Sequence, residues 1–155
     1  ADDSLYFVPA FTGLGAPYWN SEAKGALTGI TRTTRKAEMV RAGVECIAYQ
    51  IADVVNAMSQ DAKTEIQELR VDGGPTRNQY LMQFQSDILN RKVLVPDVEE
   101  LSGIGAAYAA GRGLGLYGDE VFTRLKRREY APKMCEDTRV RKYNGWKDAV
   151  GHVLK

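Results

Sequence analysis

The segment Leu69-Arg70-Val71-Asp72-Gly73-Gly74-Pro75-Thr76-Arg77-Asn78 carries the strongest chemical signal in this chain of 155 residues. Two glycines placed after a short apolar run, and just before a helical pattern, let the backbone come close to a ligand. The helix that follows offers free N–H groups and the positive end of its dipole, which suit phosphate or other polar ligand atoms. In open α/β sheets, ligands sit beyond the carboxyl ends of strands, where this turn falls. A tight strand-to-helix turn needs glycine for its geometry alone, so local chemistry leaves a structural and a functional reading both standing.

The other candidates carry less. Gly111-Arg112-Gly113-Leu114-Gly115-Leu116-Tyr117-Gly118 resembles a dinucleotide fingerprint, but it follows a helical pattern where the fingerprint follows a strand. It reads as a helix C-cap and loop, with glycine in the left-handed position. Gly13-Leu14-Gly15 lacks the Gly-Lys-Ser/Thr ending of a phosphate loop. The basic clusters Arg32–Lys36 and Lys126–Arg128 read as solvated faces, and Glu99 and Glu100 as charges favouring a helix start. The single histidine, His152, lies near the C-terminus and reads as an exposed tail residue, so no Ser–His–Asp or Cys–His set can be assembled. Cys46 and Cys135 have no metal-ligand spacing; Cys46 reads as a buried thiol, and a disulfide is unsupported. No metal-binding residue is assigned.

The elements that position the diglycine turn alternate in type. Leu5–Val8, ended by Pro9, reads as a strand, residues 11–25 as a long ordered loop, and Gly25–Ile30 as a second short strand. Val40, Val44, Ile47, Ile51, Val54, Val55 and Met58 recur at helical spacing and predict one apolar helix face. Leu69–Val71 predicts a strand. Residues 78–89 predict a helix with Leu81, Phe84 and Ile88 on one face, and Lys92–Val95 a strand stopped by Pro96. Residues 102–112 predict a helix rich in small residues. Tyr143, Trp146, Val150 and Val153 predict a last helix docked by its aromatics. The order helix–strand–helix–strand–helix is an α/β pattern, with crossovers long enough for parallel pairing.

Composition narrows the class. The length suits one core of ordinary size. Hydrophobic residues at 44% and charged residues at 26% describe a globular chain, not a disordered one. A net charge of +1 supplies no basic field for nucleic acid or an anionic membrane surface. No apolar run approaches a bilayer span, and Ala1-Asp2-Asp3-Ser4 is not a secretory signal, so no membrane insertion and a reducing cytoplasm are expected.

Longer stretches extend the reading. Phe7-Val8-Pro9-Ala10-Phe11-Thr12-Gly13-Leu14-Gly15-Ala16-Pro17-Tyr18-Trp19 resembles the signature of glycerol kinases, within the FGGY family of carbohydrate kinases. Gly25–Ile30, continuing to Glu45, resembles that family's C-terminal signature. Ile47–Gln50, Met82–Leu89, Gly105–Tyr108 and Tyr143–Lys147 continue the resemblance over nearly the whole chain. Two departures are local: Gly43 stands where a larger residue is usual, and Pro75 and Thr76 replace small apolar residues after the glycines.

The resemblance implies an α/β, ribonuclease-H-like (actin-like ATPase) C-terminal lobe. It would be partial, with flanking helices, and residues 119–155 would form a helical tail packed on it. It implies ATP-dependent phosphorylation of glycerol to glycerol 3-phosphate, with Mg²⁺, in a cleft between two lobes. It places Gly74 against the nucleotide through its backbone, Gly73 in the turn, and Asn78 at the adenine. The catalytic aspartate, the glycerol-binding residues and the phosphate-binding turns would belong to parts of a longer enzyme outside this chain. The chain alone is therefore expected to be inactive and to bind ATP weakly. A homo-oligomer is expected of the longer enzyme. The sugar-transport regulator of some bacterial relatives is not carried over, because Pro132–Arg139 matches its binding segment poorly. Two alternatives stay open: another kinase of the family, acting on a pentulose or an aldonate, and a non-catalytic nucleotide-binding or scaffold module. Residues 10–19 argue against the first.

Overall fold

The computed structural model describes residues 4–97, 101–116, 118 and 126–154. The first strand, β1 (Tyr6–Val8), pairs antiparallel with β2 (Ala26–Thr28), Phe7 lying opposite Leu27. A long helix, α1 (Lys36–Ala62), follows. Then come β3 (Glu68–Arg70), a 3-10 turn (Gly74–Arg77), α2 (Gln79–Leu89), β4 (Lys92–Pro96), α3 (Leu101–Gly113), β5 (Arg127–Tyr130) and α4 (Glu136–Val153). The second sheet runs β3-β4-β5; β3 and β4 are parallel with α2 as the crossover, and β5 is antiparallel to β4.

Local chemistry explains most boundaries. The Arg35 N–H donates to Glu38 Oε2 at 3.0 Å, and Glu38 places a negative charge in the first turn of α1. That helix ends at Lys63 in the left-handed region (φ 49°), whose N–H donates to the Gln60 carbonyl. At the end of α3, Leu116 N–H donates to Gly111 O and Gly115 N–H to Arg112 O, with Gly115 at φ 73°. This is the Schellman termination, so the glycine-rich run is a helix cap as its context predicted.

Two expectations need correction. The buried face of α1 is Ala42, Glu45, Cys46, Ala48, Tyr49, Ala52, Asp53 and Val55, whereas Val40, Ile47 and Met58 of the predicted apolar face are exposed. Small residues and hydrogen-bonded polar groups occupy much of the inner side, and hydrophobicity counting scores both too low. Within residues 119–155, expected to be helical, Arg127–Tyr130 is an edge strand. Its charges made it read as a solvated face, and they are solvated: Lys92 pairs with Glu129 at 2.9 Å and Arg128 with Asp97 at 3.6 Å on the exposed sheet.

The core gathers aromatic rings from four elements. Tyr49 of α1 stacks on Trp146 of α4 at 5.2 Å and 7°. It meets Phe84 of α2 edge-on at 5.4 Å and Tyr6 of β1 at 5.8 Å. Gly145 allows this approach, since a Cβ there would run into the Tyr6 ring. Leu81, Phe84 and Ile88 all face the core, as their spacing predicted. Three polar residues of α2, Gln85, Ser86 and Asp87, are buried and make hydrogen bonds. Gln85 Nε2 donates to Ala48 O at 3.2 Å, and the Ser86 hydroxyl lies 2.7 Å from Arg91 O. Asp87 Oδ1 accepts from the Lys133 N–H at 2.7 Å, which ties the segment after β5 to α2.

Asp53, 5% exposed, is the hub of the other polar network. Its Oδ2 accepts from Trp146 Nε1 at 2.8 Å and from the Tyr18 hydroxyl at 2.9 Å, and its Oδ1 from the Tyr143 hydroxyl at 2.6 Å. One carboxylate thus joins the loop after β1, helix α1 and helix α4. Replacing Asp53 by alanine leaves three donors without an acceptor and is expected to lower the unfolding free energy by about 3–5 kcal/mol. Urea denaturation measures this; an unchanged midpoint would contradict the role. Burial, and then Asp53, push the hydroxyls of Tyr18 and Tyr143 well above the ordinary tyrosine value. A raised folded pKa means that stability is held below the unfolded tyrosine value and lost above it. Stability should therefore fall as pH rises past about 10. Tyr18→Phe and Tyr143→Phe should each flatten that fall.

Candidate functional site

The diglycine turn is built by the carboxyl end of β3. The Val71 N–H donates to Leu94 O at 3.0 Å and carries the ladder one residue past the strand. Asp72 Oδ1 accepts the Gly73 N–H at 2.7 Å. Gly73 takes φ 95° and ψ 174°, a region essentially confined to glycine. The Gly73 carbonyl then accepts both the Thr76 N–H at 3.0 Å and the Thr76 hydroxyl at 2.6 Å. Pro75 sits in the first turn of the 3-10 segment, where its missing N–H costs nothing. The turn is therefore fixed by its own short-range bonds.

Gly74 faces open space: a Cβ placed there would meet nothing within 4 Å. Asn78 is the N-cap of α2, and its Oδ1 accepts the Leu81 N–H at 3.0 Å. That bond orients the amide and leaves Nδ2 as its free donor. Gly73, Gly74 and Asn78 are all exposed. The structure brings the three predicted residues into one solvent-facing turn at the start of α2, able to take a ligand against bare backbone, with an amide donor at one side.

Beside the turn lies a pair the sequence did not single out. The Tyr80 hydroxyl donates to Glu45 Oε1 at 2.5 Å, and Arg41 Nε lies 3.7 Å from the same oxygen. Burial first, and then the bond to Glu45, raise the tyrosine pKa well above its ordinary value. The available signal was a glutamate inside a helical pattern of small and apolar residues, since such a charge needs a partner.

The remaining candidates are structural. The Leu14 N–H donates to Asn20 O at 2.7 Å and the Asn20 N–H to Leu14 O at 2.9 Å, which closes the loop around Gly13-Leu14-Gly15. Asn20 Oδ1 also accepts from the Ala23 N–H at 2.9 Å. The loop leaves Phe11 and Trp19 each 79% exposed. Beneath it runs an open groove of about 410 Å³, bounded by Tyr18, Asn56, Gln60, Tyr143 and Lys147. His152 is exposed on α4 with Nδ1 2.7 Å from Asp148 O. Cys46 and Cys135 are free thiols, and burial pushes Cys46 up to about 11. Arg32, Arg35 and Lys36 are exposed. Glu99 and Glu100 lie outside the described residues.

The family model for the C-terminal domain of the FGGY family of carbohydrate kinases matches residues 2–114. The glycerol kinase of Staphylococcus haemolyticus is 48% identical over 151 residues, 96% of this chain and 30% of that protein. That of Thermococcus kodakarensis is 51% identical over 157 residues, 99% of this chain and 31% of that protein. Among solved structures, the Plasmodium falciparum glycerol kinase with ADP superposes with a TM-score of 0.88 at 35% identity, covering 99% of this chain and 31% of that one. The gluconate kinase of Lactobacillus acidophilus superposes with a TM-score of 0.79 at 24% identity, covering 97% and 31%, and shares the fold. The chain spans about a third of the length of these relatives.

Gly73→Ala is expected to destabilise the fold by about 1–3 kcal/mol, because alanine cannot hold that backbone without strain. Gly74→Ala, with open space around it, is expected to leave stability within about 0.5 kcal/mol. Urea midpoints compare the two; equal losses would show that the turn is not built as described.

Proposed function

Because this chain belongs to the FGGY family of carbohydrate kinases, with the ribonuclease-H-like, actin-like ATPase fold of that family's C-terminal lobe, we propose that it is the adenosine-holding part of a glycerol kinase. The whole enzyme would move the γ-phosphoryl group of ATP to a terminal hydroxyl of glycerol and release glycerol 3-phosphate. One observation carries the choice of substrate. Identity to glycerol kinases is 48% and 51% over nearly the whole chain, against 24% to the gluconate kinase. An aldonate kinase is disfavoured on that ground, and residues 10–19 argue against a pentulose kinase as well.

In this reading Gly74 packs its backbone against the nucleotide, and Gly73 supplies the kink that exposes it. Asn78 meets the adenine. Since Oδ1 is committed to the Leu81 N–H, the group offered to the base is Nδ2, so its partner is an acceptor on the ring. Phosphoryl transfer depends mainly on positioning and on stabilising charge, so a lobe that holds the base sets the line of attack without touching the transferred group. Closure of the second lobe would exclude water, which competes with glycerol as acceptor.

The catalytic and glycerol-binding groups are assigned to the rest of a longer protein. Mg²⁺ would travel on the ATP phosphates. Among the described residues no group of three or more His, Cys, Asp or Glu side chains is gathered to hold a metal. Residues 1–155 are read as one lobe, working in the cytoplasm within a homo-oligomer. No helix among the described residues is long and apolar enough to cross a membrane.

The test is calorimetric titration of ATP and ADP into the chain beside Asn78→Ser, which keeps the helix cap and removes the amide donor. Weak saturable binding by the wild type, reduced by the substitution while the urea midpoint holds, is the expected result. Equal binding by both would remove Asn78 from the site. No binding by the folded wild type would count against the nucleotide site. Assay of the longer enzyme against glycerol, a pentulose and an aldonate then tests the acceptor.

A further inference from the structure

The bond between Tyr80 and Glu45 ties the nucleotide turn to the long helix. Glu45 is 2% exposed and lies on the inner face of α1. It receives the Tyr80 hydroxyl at 2.5 Å, with Arg41 3.7 Å away. The Tyr80 ring lies nearly parallel to Phe84 at 6.0 Å, and Phe84 meets Tyr49 in the aromatic core. Tyr80 is nonetheless 49% exposed, so apolar burial is a weak reason for its position; the hydroxyl's partner is the stronger one. Tyr80 is the second residue of α2, between Asn78 and Leu81, and these two make the cap bond that aims the Asn78 amide. A shift of this first turn would move Asn78 and the adjoining Gly74 with it.

We propose that Tyr80 and Glu45 are positioning residues for the nucleotide site: their hydrogen bond fixes the first turn of α2 against α1, and so sets where the Asn78 amide and the Gly74 backbone face. This rests on the nucleotide reading above. Neither residue is assigned a contact with the nucleotide; both act through Asn78. A tyrosine hydroxyl is protonated throughout the neutral range, so it can donate to Glu45 there.

The experiment titrates ATP into the wild-type chain, Tyr80→Phe, Glu45→Ala, Glu45→Gln, Tyr80→Phe/Glu45→Ala and Asn78→Ser. Amide hydrogen exchange at Leu81 and the urea midpoint are followed for each. Tyr80→Phe should weaken ATP binding about five- to tenfold and speed exchange at Leu81. Glu45→Gln, which keeps an oxygen for the tyrosine hydroxyl, should recover affinity relative to Glu45→Ala. The double variant should bind no more weakly than the weaker single, because both remove one bond. A purely structural role would lower the urea midpoint of Tyr80→Phe and leave both ATP affinity and Leu81 exchange at wild-type values, which overturns the inference. If Asn78→Ser weakens binding and Tyr80→Phe does not, the inference alone falls. If the wild type does not bind ATP, or Asn78→Ser binds as well as wild type, the nucleotide reading falls and takes the inference with it.

Discussion

A single buried carboxylate, Asp53, ties three separate segments of the fold to one another. Asp53 accepts from Tyr18, Tyr143 and Trp146, which reach it from the loop after β1 and from the last helix. A buried carboxylate is costly unless it is hydrogen-bonded, and here three donors reach it. The same donors would be stranded without it. The interaction is therefore mutual and constrains three segments at once. It also explains why aromatics are required there: tyrosine and tryptophan supply apolar area to the core and a hydrogen-bond donor to the carboxylate. Trp146 does both, stacking on Tyr49 while donating to Asp53.

Helix α1 carries a second buried carboxylate at Glu45, two helical turns from the first. Asp53 fixes the carboxyl-terminal half of α1 to the signature loop and α4, and Glu45 fixes its amino-terminal half to the start of α2. Between them, Ala48 accepts from Gln85, and Ala48 and Ala52 keep the contact surface small enough for close approach. The long helix thus serves as a rail along which the polar contacts are spaced. Its outer side, with Val40, Ile47 and Met58, plays no part in this core.

The turn at Gly73 and Gly74 is different in kind. Its shape comes from local bonds and from a backbone conformation restricted to glycine, while its placement comes from β3 and α2. The bonds within it are short in sequence and the surface is open. A ligand would therefore meet a preformed backbone and little side-chain bulk, as suits the nucleotide contact proposed for this turn.

The sequence alone determined the strands of the β3–α2–β4 unit, the apolar face of α2, the glycine cap of α3 and the docking of α4 through Trp146. In each case the deciding chemistry is local: periodicity, a breaker residue or a cap. It also located Gly73, Gly74 and Asn78 in one turn, because a diglycine between strand and helix is a local pattern. Only the tertiary structure decided which face of α1 is buried. Glu45 and Asp53 are acceptable inside solely because Tyr80, Tyr18, Tyr143 and Trp146 reach them across 35 to 93 residues of chain. Periodicity records how hydrophobic each position is, not where a distant donor will lie. For the same reason the charged run at Arg127–Tyr130 did not announce a strand. Its extended form comes from pairing with β4, and pairing is a property of the assembled sheet.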